Sequence, residues 1–167
     1  MDLTERMVEH DNWLTAQLIE AAGKLGDDDL DSPAEVTPPT PGFAEDAPSI
    51  RAMLDRFVFA KEMWSAAIAG HEFQRDEDSS LDGLKRRLDA ASAEFASLVR
   101  DIRNRGAWDT AFVDATCDPP ESFTFGGAVA HALTWDAYRR QIVSAALRER
   151  GAETVSVDPL DWERRTA

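Results

Sequence analysis

Apolar residues recur at three-and-four spacing in four stretches of the chain, and polar or Pro/Gly-rich stretches separate them. The first stretch, 3–25, carries Leu3, Met7, His10, Leu14, Leu18, Ala21 and Leu25 on one helical face and stops at Gly26 and the acidic run that follows. Residues 26–48 hold five prolines and read as a surface loop with extended stretches. Ser49 is placed to cap a second helix over 50–69, whose apolar face includes Ile50, Met53, Phe57, Ala60, Trp64 and Ala67, with Gly70 as its stop. Ser80 caps a third helix. Leu81, Leu84, Leu88, Ala91, Phe95, Leu98 and Ile102 make its heptad-like stripe, and Gly106 closes it. The stretch 107–124 is too long and too apolar for a turn and is expected to pack on the helices. A fourth helix covers 127–150, with Gly151 just past its end, and the tail 152–167 is expected to dock through Val155, Val157, Leu160 and Trp162.

Connector length leaves the topology open. The second helix, 20 residues at 1.5 Å each, is about 30 Å long. The ten residues 70–79 reach about 33–36 Å fully extended, so a parallel crossover between helices two and three is possible and an antiparallel hairpin is easier.

Composition narrows the function class. The 167 residues suit one domain over 1–167, and 32 acidic against 18 basic residues give a formal charge of −14. Such a surface repels phosphate backbones and anionic lipid, which argues against nucleic-acid and membrane partners. A single cysteine, Cys117, rules out an intrachain disulfide. The opening residues lack a signal-peptide layout, and no run approaches the ~18 apolar residues of a membrane span. The expectation is a cytoplasmic, all-α domain.

Three segments then carry a resemblance: HDNWLTAQLIEAAGKLGDDDL in helix one, SIRAMLDRFVFAKEMWSAAIAG in helix two, and FGGAVAHALTWDAYRRQIVSAALRERG in helix four with its DPLDW tail. In character and order they resemble the DinB-like (YfiT-like) metal-dependent hydrolases. The resemblance implies an all-α DinB-like four-helix bundle with a parallel crossover between helices two and three, usually dimeric. It also implies a metal held by one histidine of helix two and two histidines four apart on helix four. The matching positions here are Arg56, Trp135 and Arg139. Two guanidiniums and an indole do not ligate a divalent cation, so no metal and no cofactor are expected.

Candidate chemistry follows from those positions. His131, Trp135, Tyr138 and Arg139 share a face of helix four or its border. With Arg56 they either line a cleft that grips a small anionic molecule or form an ion-pair tie between helices, neutralised by Asp55, Glu62, Asp136 or Asp11. His10 and His131 are a second candidate pair, able to meet across facing helices or to sit apart. Cys117 is flanked by Asp114 and Asp118, which disfavour a thiolate. Phe125-Gly126-Gly127 reads as a tight helix entry, and Trp13, Trp64, Trp108 and Trp162 as structural. Three functions remain: a metal-free binder of a small anion near helices two and four; a mycothiol- or bacillithiol-type S-transferase or metal-dependent hydrolase, as in some relatives; and a structural homodimer.

Overall fold

A computed structural model describes residues 1–34 and 48–166; most of the proline-rich loop expected at 26–48 lies outside the described residues. Four long helices, α1 (Leu3–Ala22), α3 (Ile50–Ala69), α4 (Leu81–Arg105) and α5 (Phe125–Glu149), pack around a shared interior. Two short helices join them, α2 (Asp27–Asp31) and α6 (Pro159–Thr166), with one two-stranded antiparallel sheet of β1 (Ala111–Asp114) and β2 (Glu121–Thr124). Apart from that hairpin, the described residues form an all-α structure. Among them no helix is long and apolar enough to cross a membrane.

The helix ends follow from local chemistry. Asp2 and Glu5 form a reciprocal capping box on α1; Ser49 and Ser80 accept the Ala52 and Gly83 amides at the starts of α3 and α4. Gly70 and Gly106 stop α3 and α4 at φ 73° and 63°, in the left-handed region that a side chain disfavours. At the entry to α5 the Gly126 amide donates to the Trp108 carbonyl at 2.8 Å, and a Cβ there would stand 3.0 Å from that oxygen. Thr124 caps this helix, so α5 begins at Phe125, two residues before the expected 127. The stretch 107–124 does pack on α3 and α5, but as a β-hairpin rather than as irregular chain.

The interior comprises two apolar clusters. One gathers Leu18, Ile19, Met53, Phe57, Leu84, Leu88, Val143 and Leu147. The other gathers Val8, Ile68, Phe95, Val99, Ile102, Val129 and Leu133. Between them along α1, α3 and α5 fall Asp11, Thr15, Lys61, Asp136 and Arg140, all buried. The apolar face expected for the second helix holds on α3, whereas that of the first is rotated on α1. Leu14, Leu18 and Ala21 are buried, but Leu3 is 74% and Met7 44% exposed. The stripe that faces inward is Val8, Asp11, Thr15, Leu18 and Ala22, and its two polar members hid it.

One surface-to-core tie joins α3 and α4. Arg87, buried on α4, donates to Asp55 at 2.6 Å and side-on to Glu62 at 3.0 and 2.7 Å, and caps the Asp78 carbonyl at 3.1 Å. Arg75 holds the other Asp55 oxygen at 2.7 Å and straps down the connector. Hydrogen bonds to the two carboxylates hold the Arg87 guanidinium firmly in its charged form. Removing this side chain leaves Glu62 unpaired and Asp55 with Arg75 as its remaining partner, so Arg87→Met is expected to lower unfolding free energy by about 3 kcal/mol in urea titration. A loss below about 0.5 kcal/mol contradicts the assigned tie.

Candidate functional site

The residues singled out from the sequence fall in three places. Arg56 on α3 and Trp135 and Arg139 on α5 come together. The Arg139 guanidinium lies 3.8 Å from the Trp135 ring centre and that of Arg56 5.9 Å from it, so one indole carries two cations. Arg139 also donates to the Trp135 carbonyl at 3.2 Å, and Phe57 meets the indole edge-on at 6.3 Å. Burial first, and then the charge of Arg56, lower the Arg139 pKa, while Asp136 works the other way. His131 lies one turn earlier on α5 with its ring 5.1 Å from that of Trp64. Tyr138 is exposed and outside the stack. His10 sits on α1 between Trp13 at 6.4 Å and Trp162 at 5.7 Å. Burial lowers the pKa of both histidines, with Arg140 adding to the effect at His10 and Arg139 at His131.

The metal implied by the family resemblance does not fit this donor set. A guanidinium is a cation with no lone pair to offer, and the face of Trp135 is already covered by Arg139. Among the described residues no group of three or more His, Cys, Asp or Glu side chains is placed to hold a metal ion. Activation of a water or a thiol by a bound metal therefore finds no ligands in these three side chains. Cys117, in the β1–β2 loop, donates to Asp114 at 3.5 Å, and burial with that carboxylate pushes its pKa up, away from a nucleophilic thiolate.

Three of the acids expected to neutralise Arg56 and Arg139 are engaged by other cations, while Asp136 acts on Arg139 through its charge. Asp55 and Glu62 belong to Arg87. Asp11 accepts from Lys61 at 2.5 Å through one oxygen and from Arg140 at 2.6 Å through the other. Lys61 also bonds to Asn12, and Thr15 accepts from Arg140 at 3.3 Å. Asp136 is 3.8 Å from Arg140, and its Oδ1 is buried without a hydrogen bond among the described residues. Lys61 and Arg140 are central residues that the sequence pattern did not single out as functional groups. The available signal was their register. Lys61 lies four residues after Phe57, and Asp136 and Arg140 share three-and-four spacing with Leu133, Val143 and Leu147.

Beside Arg56 runs a cleft of about 250 Å³ lined by Ala52, Asp55, Arg56, Phe59 and Arg75. The Arg56 and Arg75 guanidiniums lie 5.1 and 4.9 Å from the Phe59 ring centre. Compared with family models, curated proteins and solved structures, the chain gives no match.

The buried acids titrate in opposite directions. Burial pushes Asp11 up, but Lys61 and Arg140 together outweigh it and hold the carboxylate below its ordinary value. Asp136 is pushed up to about 7, by burial first and then by the charge of Asp11. Between about pH 4 and 7 the folded chain keeps a proton at Asp136 that the unfolded chain releases, so this group's contribution to stability falls as pH rises through that window. Above it the buried carboxylate costs about 4 kcal/mol. Asp136→Asn is therefore expected to be more stable than the wild type at pH 8 and to lose the advantage near pH 4, in urea titrations across that range. Parallel pH profiles for the two proteins contradict the assignment.

Proposed function

We propose that this chain is a DinB-like four-helix bundle with α3 and α4 running in the same direction, and that it binds a small anionic molecule beside Arg56. The direction is supported by the side-chain ties. Asp55 and Glu62, in the first two-thirds of α3, engage Arg87 in the first third of α4, and Ile68 near the end of α3 shares a cluster with Val99 and Ile102 near the end of α4. The function reading rests on one observation. Among the described residues no carboxylate pairs with Arg56, its Nε is buried without a hydrogen bond, and its charge acts on Arg139 across the same indole. Two like charges sharing one ring are relieved by an anion, and the flat guanidinium over Phe59 presents the planar donor set that phosphate and carboxylate groups accept. In this reading Trp135 and Arg139 occupy the positions of the family's metal ligands, and the chain works by binding.

Thermal denaturation with phenyl phosphate and with inorganic phosphate tests this. At ten times Kd a ligand of the native state raises Tm by about 3–6 °C for a chain of this size. Phosphate also stabilises proteins generally by exclusion from their surface, so the deciding quantity is the difference between the wild type and Arg56→Gln at equal ion concentration. The wild type is expected to shift more than the variant. Equal shifts in the two proteins remove the proposal.

A further inference from the structure

The face of α1 that carries Leu3 and Met7 is apolar and still open. With α5 and α6 it encloses a cleft of about 490 Å³, within the size range of small-molecule sites. Its walls are formed by side chains such as Met7, Leu14, Leu133, Leu160 and Trp162. Arg6 and Glu163 pair across it at 2.5 Å, joining α1 to α6. None of Arg56, Trp135 and Arg139 lines it, so it is separate from the site proposed above.

The polar part of this cleft is Arg140 with Asp11 and His10. Arg140 is 2% exposed, and both of its hydrogen bonds, to Asp11 and Thr15, leave from Nη1. Its Nε is buried and makes no hydrogen bond among the described residues. The Nε–Nη2 edge is thus unused, and that edge is the one a carboxylate takes side-on with two parallel bonds. A buried donor without an acceptor is costly, which makes an acceptor from a ligand favourable there. Asp11 does not fill the role, because its two oxygens are divided between Arg140 and Lys61.

The geometry points to a binding site for an amphipathic monocarboxylate, its apolar body in the cleft of α1, α5 and α6 and its carboxylate on the unused edge of Arg140. An uncharged molecule of the same shape buries the same apolar surface but leaves that edge unmet. A cationic one adds a charge beside Arg140.

Decanoate, decanol and decylamine, each below its aggregation limit, are the probes, followed by calorimetry and by the fluorescence of the tryptophans, Trp162 among them. Decanoate is expected to bind about tenfold more tightly than decanol, and decylamine more weakly than either. Arg140→Lys keeps the charge and removes the side-on edge, and is expected to cost about tenfold for decanoate with little change for decanol. Because Arg140 is buried and Arg140→Lys risks the fold, Ala137→Phe is the second variant. Ala137 is an exposed residue of α5 on the cleft wall, and a ring there is expected to abolish binding of decanoate and decanol alike. Equal affinity for decanoate and decanol overturns the proposal, as does decanoate binding that survives Ala137→Phe. Sedimentation of the unliganded protein adds one more check. A wild-type dimer that Ala137→Phe turns into a monomer makes this face an interface between copies and also overturns it.

Discussion

Asp11 is the point on which the interior depends. Its carboxylate is fully enclosed and is tolerable only because Lys61 of α3 and Arg140 of α5 each take one of its oxygens. Sliding any one of these three helices by a turn, about 5.4 Å, would part Asp11 from at least one partner and strand a buried charge. The two apolar clusters supply nonspecific attraction and would accept several registers. The polar layer between them accepts one. Arg87 repeats the arrangement at the α3–α4 seam, where all three of its nitrogens are satisfied.

The same layer explains the different character of the two clefts described above. Three carboxylates that could have neutralised Arg56 are committed to Arg87, Lys61 and Arg140. Arg56 therefore keeps the Phe59 and Trp135 rings as neighbours and, among the described residues, has no carboxylate paired with it. On another face of α5, Arg140 spends one nitrogen on Asp11 and Thr15 and leaves its buried Nε without a hydrogen bond among the described residues. Asp136, on the same helix, stands farther from Arg140 than Asp11 does, and burial with the neighbouring Asp11 charge brings its pKa up to about 7.

Much of the helical framework was legible because it rests on local chemistry. Ser49, Ser80, Gly70 and Gly106 mark their helix ends by capping and by backbone conformation, which a sequence states directly. The apolar stripe of α3 was legible for the same reason, since Ile50, Met53 and Phe57 bury as their spacing requires. The stripe of α1 was legible at Leu14, Leu18 and Ala21 but not at its start, because the inward positions there include Asp11 and Thr15, and a buried carboxylate looks like a surface residue until its cations are found on other helices. The hairpin of β1 and β2 was hidden by its short strands. It is held by Phe112 against Phe123 and Phe125 and by Trp64 of α3 against Phe123, contacts that no local pattern carries. Arg56, Trp135 and Arg139 were singled out by the resemblance to the DinB-like proteins rather than by spacing, and their partners were legible from neither.

Coupling within the buried layer is the property on which all of this stands. A double-mutant cycle between Asp11→Asn and Lys61→Met, read as unfolding free energies in urea, isolates it. A coupling energy of about 2 kcal/mol is expected, because each single change leaves the other charge buried with a weakened partner. Additive effects, within about 0.5 kcal/mol, would mean that the two side chains do not share a buried ion pair and would contradict the central role given to Asp11.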